Sequence, residues 1–300
     1  FRQRHSMEEL PAETAAKIEA IKRTASLAAP PMPERPSLGG LTARQKLDRI
    51  NRYIVALEYN HTATRYFQLK RDRGVTHIAT TAKEIMREAL PIQCVEAVFL
   101  AFFLTADMTS CDRYPLSFKT VCGGRAYRHI VLAVHDARGG SGLWGALGIS
   151  RRKTLQHKDL AYATLADLVA EFRAAYAKLH HRLVKVYVGL PFPHCVHSAE
   201  AVKWRVLKLN YAATREHDDD SAGDDNSRML NEYAKEAVSL REYFVRTGML
   251  PEPYGPRPPS SNPGARARDA KPDDASSTVT TPAAEFFARA KRLRHPTRRR

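Results

Sequence analysis

Leu41, Leu47, Ile50, Ile54 and Leu57 recur at helical spacing, so residues 41–58 are predicted to form an amphipathic helix with one apolar stripe. Thr42 stands where an N-cap belongs, because its hydroxyl can accept from the open amides of a first turn. A second helix is predicted through "TAKEIMREAL", stopped by Pro91. A third begins around Ile92 to Cys94 and continues to Thr105; it is apolar on every side and so suited to burial. The period then changes. "YRHIVLAVH", 127–135, is rich in β-branched residues and is predicted as a strand, "GGSGLWG" as a turn, and "ALGIS", 146–150, as the returning strand. "TLADLVAEFRAAYAKLHHRL" resumes the helical period and "VKVYVGL" a strand. "AEAVKWRVLKLN" fits a helix or a strand. The acidic insert "EHDDDSAGDDNS" is expected as a loop, having no apolar area to bury, and "RMLNEYAKEAVSLREYFVRTG" as a helix closed by Gly248.

Helices come first and strands then mix with helices, the order of an α+β domain. Residues 1–40 form an N-terminal segment, partly disordered, in which "AAKIEAIKRTASLA" is able to make a short helix and "APPMPERPSLGG" is a linker. Residues 41–249 make the ordered domain. Residues 250–300, rich in Pro, Ser, Arg and Ala, are expected to be mostly disordered, apart from a short helix at "AAEFFARAKRLR". The first residue is Phe1, so the natural start is expected upstream, and no secretory apolar region is visible in what is present.

Charge narrows the partners. Lys and Arg number 48 against 32 Asp and Glu, a net +16, and the tail from 251 supplies 11 basic and 5 acidic residues. A field of that sign attracts polyanions: nucleic acid, anionic lipid or an acidic protein surface. No apolar run is long enough to span a membrane. Four cysteines, Cys94, Cys111, Cys122 and Cys195, are too few for a disulfide scaffold in 300 residues and fit a reducing compartment. His194, Cys195 and His197 form one metal-like cluster without a second, so they are taken as loop residues and no metal or cofactor is expected.

Cys94 carries the chemistry of interest. A buried thiol is ordinarily a small hydrophobe. This one stands in the first turn of a helix, where the dipole favours an anion by about 0.3–1 kcal/mol and lowers thiol pKa values. His129 opens a strand further along, and a helix-borne Cys facing a strand-borne His is the layout of papain-like and transglutaminase-like sites. Spacing alone does not single out this pair among 12 histidines.

"ALPIQCVEAVFL", "PLSFKT", "YRHIVLAV" and "GALGISRRKTL" resemble the vasohibin family, the tubulin tyrosine carboxypeptidases. "RYIVALEYNHTATRYFQLK" upstream, and "TLADLVAEFRAAYAKLHHRLVKVYVG" and "HSAEAVKW" downstream, follow the same pattern in the same order over residues 41–210. The resemblance implies a transglutaminase-like cysteine protease fold with N-terminal helices and a small antiparallel sheet. It places Cys94 at the nucleophile, His129 at the general base and Ser150 at the third member, whose main-chain carbonyl orients the imidazole. Tyr59 matches the tyrosine lining the site, where its hydroxyl can steady an oxyanion. Arg151 matches the arginine that grips the substrate carboxylate, and Arg71 a lysine that faces the acidic tail. The implied partners are the α-tubulin C-terminal tail and microtubules, with a cytoplasmic, cytoskeleton-associated location. A small vasohibin-binding protein helix is also implied; it would lie on the stripe of Leu47, Ile50, Ile54 and Leu57, unless that stripe packs on the domain's own core.

Two departures stand out. Gln93 replaces a family lysine beside the nucleophile, keeping a donor but losing a charge, with Lys70 a candidate to compensate. The loop Arg138 to Trp144 is longer than the family form, between His129 and Ser150, where it could reshape the pocket rim. The competing readings are a non-catalytic microtubule- or nucleic-acid-binding basic protein and a transglutaminase-like acyl transferase. No nucleic-acid stacking motif is present, and a carboxylate-binding arginine suits an exopeptidase.

Overall fold

The structure is a computed structural model that describes residues 32–62, 64–71, 73–211 and 219–255. The helices expected near 15–28 and in the tail, and the disorder expected beyond 255, fall outside these residues. Helix α1, Ala43–Ala56, starts on a reciprocal cap: Thr42 Oγ1 accepts from the Gln45 N–H and Gln45 Oε1 from the Thr42 N–H. Leu47, Ile50, Ile54 and Leu57 are all at most 6% exposed, so the stripe packs into the domain's own core and is not open to a partner helix. Helix α2, Val75–Glu88, begins earlier than predicted and ends with Ala89 in a left-handed conformation two residues before Pro91. Helix α3, Cys94–Leu104, is buried all round from Glu96 to Phe102.

Six strands follow: β1 Asp112–Cys122, β2 Arg125–His135, β3 Trp144–Leu147, β4 Lys158–Tyr162, β5 Arg182–Val188 and β6 Leu207–Asn210. They form one antiparallel sheet in the order β4-β3-β2-β1-β5-β6, so the expected sheet is larger than "small" implies. Two strands were not predicted, β1 and β4. The β1–β2 hairpin turns on Gly123 and Gly124, both at positive φ, the backbone a tight primed turn requires. Only the last four residues of "AEAVKWRVLKLN" become strand. Helix α4, Leu165–Ala177, is shorter than predicted, because the chain turns left-handed at His180 and enters β5.

Helix α5 runs Asp219–Thr247, so the acidic insert is not a loop from Asp219 on. Acidic residues complement the positive end of a helix dipole, which makes the first turns of α5 a favourable place for them. Leu230, Tyr233, Ala237 and Leu240 bury its inner face, and Gly248 ends it at φ 72°. Order continues past 250: Tyr254 packs edge-on against Tyr233, with ring centroids 5.6 Å apart.

Two cores sandwich the sheet. Helices α1–α3 pack on one face against Ile130, Leu132, Val134 and Leu147. Helices α4 and α5 cover the other, against Leu116, Phe118, Val131 and Val186. The described residues from Glu34 onward belong to one compact unit. On the α3 face the register sets Lys185 opposite Lys119, and Lys119 opposite Arg128. This cationic row lies beyond the helical cover: Lys119 and Lys185 are half-buried and Arg128 is exposed.

Candidate active site

Pro91 halts the chain before α3 and Gln93 adopts an extended conformation, so Cys94 becomes the first helical residue. The approach is pinned by a short bridge. Ile92 N–H donates to Glu58 O at 3.1 Å and Asn60 N–H to Ile92 O at 2.8 Å, which sets Tyr59 beside Ile92. Glu58 is left-handed at φ 61°, a conformation disfavoured for a side chain of this kind. Buried Asn60 shapes the loop beyond: its Oδ1 accepts from Thr62 N–H at 2.9 Å, and its Nδ2 donates to Thr64 O at 2.8 Å.

Strand β3 meets β2 only from Leu132 onward, leaving the β2 edge before it open to the end of α3. There the Cys94 thiol accepts from the Ile130 N–H, the residue after His129. His129 Nε2 lies 2.7 Å from Leu155 O, and its ring stacks on Phe118. A carbonyl can only accept, so Nε2 carries the hydrogen and Nδ1 keeps the lone pair a general base needs.

The carbonyl holding the imidazole is thus that of Leu155 and not of Ser150. The Ser150 carbonyl is occupied by Gln156 Nε2 at 2.9 Å, and its hydroxyl accepts from Arg152 N–H. A 3₁₀ turn, Lys153–Leu155, carries the chain from Ser150 back over the ring and delivers the Leu155 oxygen to it.

Cys94 was expected to be ionised in the resting protein, and here burial overrides the helix dipole. Burial pushes the thiol up, and the Ile130 N–H and Arg71 only partly offset it. Burial also brings His129 down to about 4, against the Leu155 carbonyl. The resting pair is therefore a neutral thiol and a neutral imidazole.

Arg151 lies over the Tyr59 ring, 5.6 Å from its centroid, and bonds its hydroxyl. Burial and the nearby thiol raise the Tyr59 phenol, and Arg151 draws it back. Gln93 turns toward the same loop, its Nε2 donating to Thr62 O at 3.4 Å. Arg71 lies over Trp204, which returns a bond from Nε1 to Arg71 O at 2.9 Å. Lys70 is exposed on this loop. The structure therefore gathers Tyr59, Gln93, Arg71, Cys94, His129 and Arg151 around one end of α3.

The 138–144 loop does not join them. It follows His135, roughly 20 Å along β2 from His129 at 3.3 Å per residue, and Arg138 ties it to Thr109 O and Asp112. It lines a separate cavity of about 380 Å³ with Leu41, Arg44, Met108 and Asp136. The residues the sequence did not single out are Asn60, Glu96, Leu155, Gln156 and Trp204. Asn60 had a signal, since an Asn followed by His-Thr invites a side-chain turn.

A helix-leading cysteine and a strand histidine are brought to one end of an α+β sandwich. A family model described as Vasohibin matches residues 3–231, and the chain belongs to that family. Among curated proteins, Tubulinyl-Tyr carboxypeptidase 1 of Mus musculus is 43% identical over 176 residues, which cover 58% of this chain and 46% of the relative. The chain thus spans about half the length of the curated relative it matches.

Proposed function

We propose that this protein is a cysteine carboxypeptidase that removes the C-terminal tyrosine of α-tubulin. The observation that carries this reading is the His129 tautomer: Nε2–H is committed to Leu155 O, which leaves Nδ1 free as a base, while the adjoining Ile130 N–H bonds the Cys94 thiol. The relative's printed name, a tubulinyl-Tyr carboxypeptidase, supplies the substrate. Nδ1 takes the thiol proton as sulfur attacks the scissile carbonyl, so no resting thiolate is required. The imidazolium then protonates the departing tyrosine amine, and the same nitrogen activates the water that frees the acyl-enzyme. Open amides of the first turn of α3 can stabilise the oxyanion, with the Tyr59 hydroxyl beside them. Arg151 presents a planar guanidinium for the terminal carboxylate. Gln93 is a second donor there, and Arg71 and Lys70 meet the acidic residues upstream. Action on microtubules places the protein at the cytoskeleton. Hydrolysis by this route uses no metal or cofactor. A small helical partner, if used, docks away from the buried α1 stripe.

Tyrosinated tubulin blotted for newly exposed glutamate tests the reading. Cys94→Ala and His129→Ala should each lower the rate by a factor of roughly 10³ or more, as loss of a nucleophile or its base does. Arg151→Ala should lower kcat/KM for a peptide ending in free tyrosine by about 10²-fold. It should leave the slow turnover of the C-terminal amide unchanged. Full activity in Cys94→Ala, or equal loss on both peptides in Arg151→Ala, refutes the assignment.

A further inference from the structure

Besides the thiol, the first turn of α3 holds one ionisable side chain. Glu96 is the third residue of the helix and only 2% exposed. Its side chain curls back to accept from the Gln93 N–H and from its own N–H. Gln93 supplies no side-chain cap, so this carboxyl closes the turn from inside, as the third-position acid of a capping box does. Its Oε2 is buried with no hydrogen-bond partner. The groups within its electrostatic reach are Cys94 on its own helix, and Tyr59, Arg65 and Arg71 on the loop between α1 and α2.

We propose that Glu96 is a positioning residue for Cys94: a buried acid, acting in its neutral form, that fixes the Gln93–Cys94 turn without setting an anion beside the sulfur. An ionised Glu96 would oppose the thiolate as it forms and leave a charge with an unpartnered oxygen in a water-poor pocket. A neutral one keeps an acceptor for the two amides and puts no charge on the unpartnered oxygen. Burial favours this form by pushing the carboxyl up, against the two amide bonds and both arginines. The kinetic part of the proposal rests on the cysteine-peptidase reading; the reactivity of the thiol does not.

The test compares the 300-residue wild type with Glu96→Gln and Glu96→Ala in two assays. One is the rate of Cys94 alkylation by iodoacetamide against pH, followed by mass on the Cys94 peptide. The other is kcat and KM for tyrosine release from a Glu-Glu-Tyr peptide. Glu96→Ala should lower both the alkylation rate and kcat by about tenfold, since small misplacements of a reacting group are costly, with KM changed less than twofold. Glu96→Gln, neutral and of the same shape, should recover at least half of each. Its alkylation profile should superimpose on that of the wild type, because neither side chain sets an anion beside the sulfur. A Glu96→Gln protein with native circular dichroism but the losses of Glu96→Ala overturns the proposal, as does a Glu96→Gln profile that rises at clearly lower pH than the wild type, which would show an anion beside the wild-type sulfur. If Glu96→Ala does not fold, wild type against Glu96→Gln decides alone. Wild type that releases no tyrosine while the alkylation pattern holds refutes the peptidase reading and supports the role of Glu96.

Discussion

His129 exchanges water for Phe118 and the Leu155 carbonyl, and burial takes its imidazole from the ordinary 6.5 down to about 4. Between those values the unfolded chain binds a proton that the folded chain does not. Stability from this residue is therefore complete above pH 6.5 and is lost as pH falls toward 4. The size is on the order of 3 kcal/mol. Urea unfolding of wild type and His129→Gln from pH 7 to pH 4.5 should show a steeper acid loss in the wild type; parallel curves would mean the ring is solvated. The same imidazole shows which parts of the site the sequence can disclose. Cys94 and His129 were visible through the family motifs that carry them, since 12 histidines leave the chemistry alone undecided. The Leu155 carbonyl was not, because every residue has one and only the 3₁₀ turn at 153–155 aims it. Ser150 was expected by family likeness, and its carbonyl is spent on Gln156.

Helix α3 was readable from its unbroken apolar run, and α1 from its stripe and cap. Strand β1 was not: Arg113, Pro115, Ser117 and Lys119 interrupt its apolar residues, although Tyr114, Leu116 and Phe118 line one face. Arg113 misleads most, since a charged residue suggests solvent, yet it is 0% exposed. Its guanidinium donates to Phe102 O at the end of α3 and to Phe192 O and Pro193 O, joining α3 to the segment after β5. Three carbonyls and the Phe102 ring face the cation, although its Nε is buried without a partner and burial lowers its pKa to about 10. Arg113→Met should keep the volume but strand three buried acceptors, at a loss of about 2–4 kcal/mol. The measurement is the urea midpoint at constant m-value. An unchanged midpoint would show that water replaces the guanidinium there. The acidic start of α5 failed for the opposite reason: a run with nothing to bury is still helical when it begins a helix whose later turns are anchored by Leu230 and Tyr233.

At the scale of the molecule, the charge of +16 says only that anions are attracted; the strand register says where. Lys185, Lys119 and Arg128 stand side by side across three strands, an arrangement of like charges that weakens a sheet. Ile130, two residues along β2 from Arg128, offers its amide to the Cys94 thiol. The row thus runs toward Cys94 on the face that carries α3, in the path of an acidic tail on the proposed reading. On that reading the row serves encounter at the expense of stability, and the two effects separate on substitution. Lys119→Gln/Lys185→Gln should reduce kcat/KM on tubulin several-fold at about 50 mM salt and flatten its decline toward about 200 mM, where screening already shortens the reach of wild-type charge. The two proteins should converge at high salt, with kcat unchanged throughout. The same variant should unfold at an equal or slightly higher urea concentration, by a few tenths of a kcal/mol, since it removes a repulsive pair. A variant with the wild-type salt slope would send the tail over the Arg71 and Lys70 loop alone, and one that lost stability would show these lysines to be part of the fold.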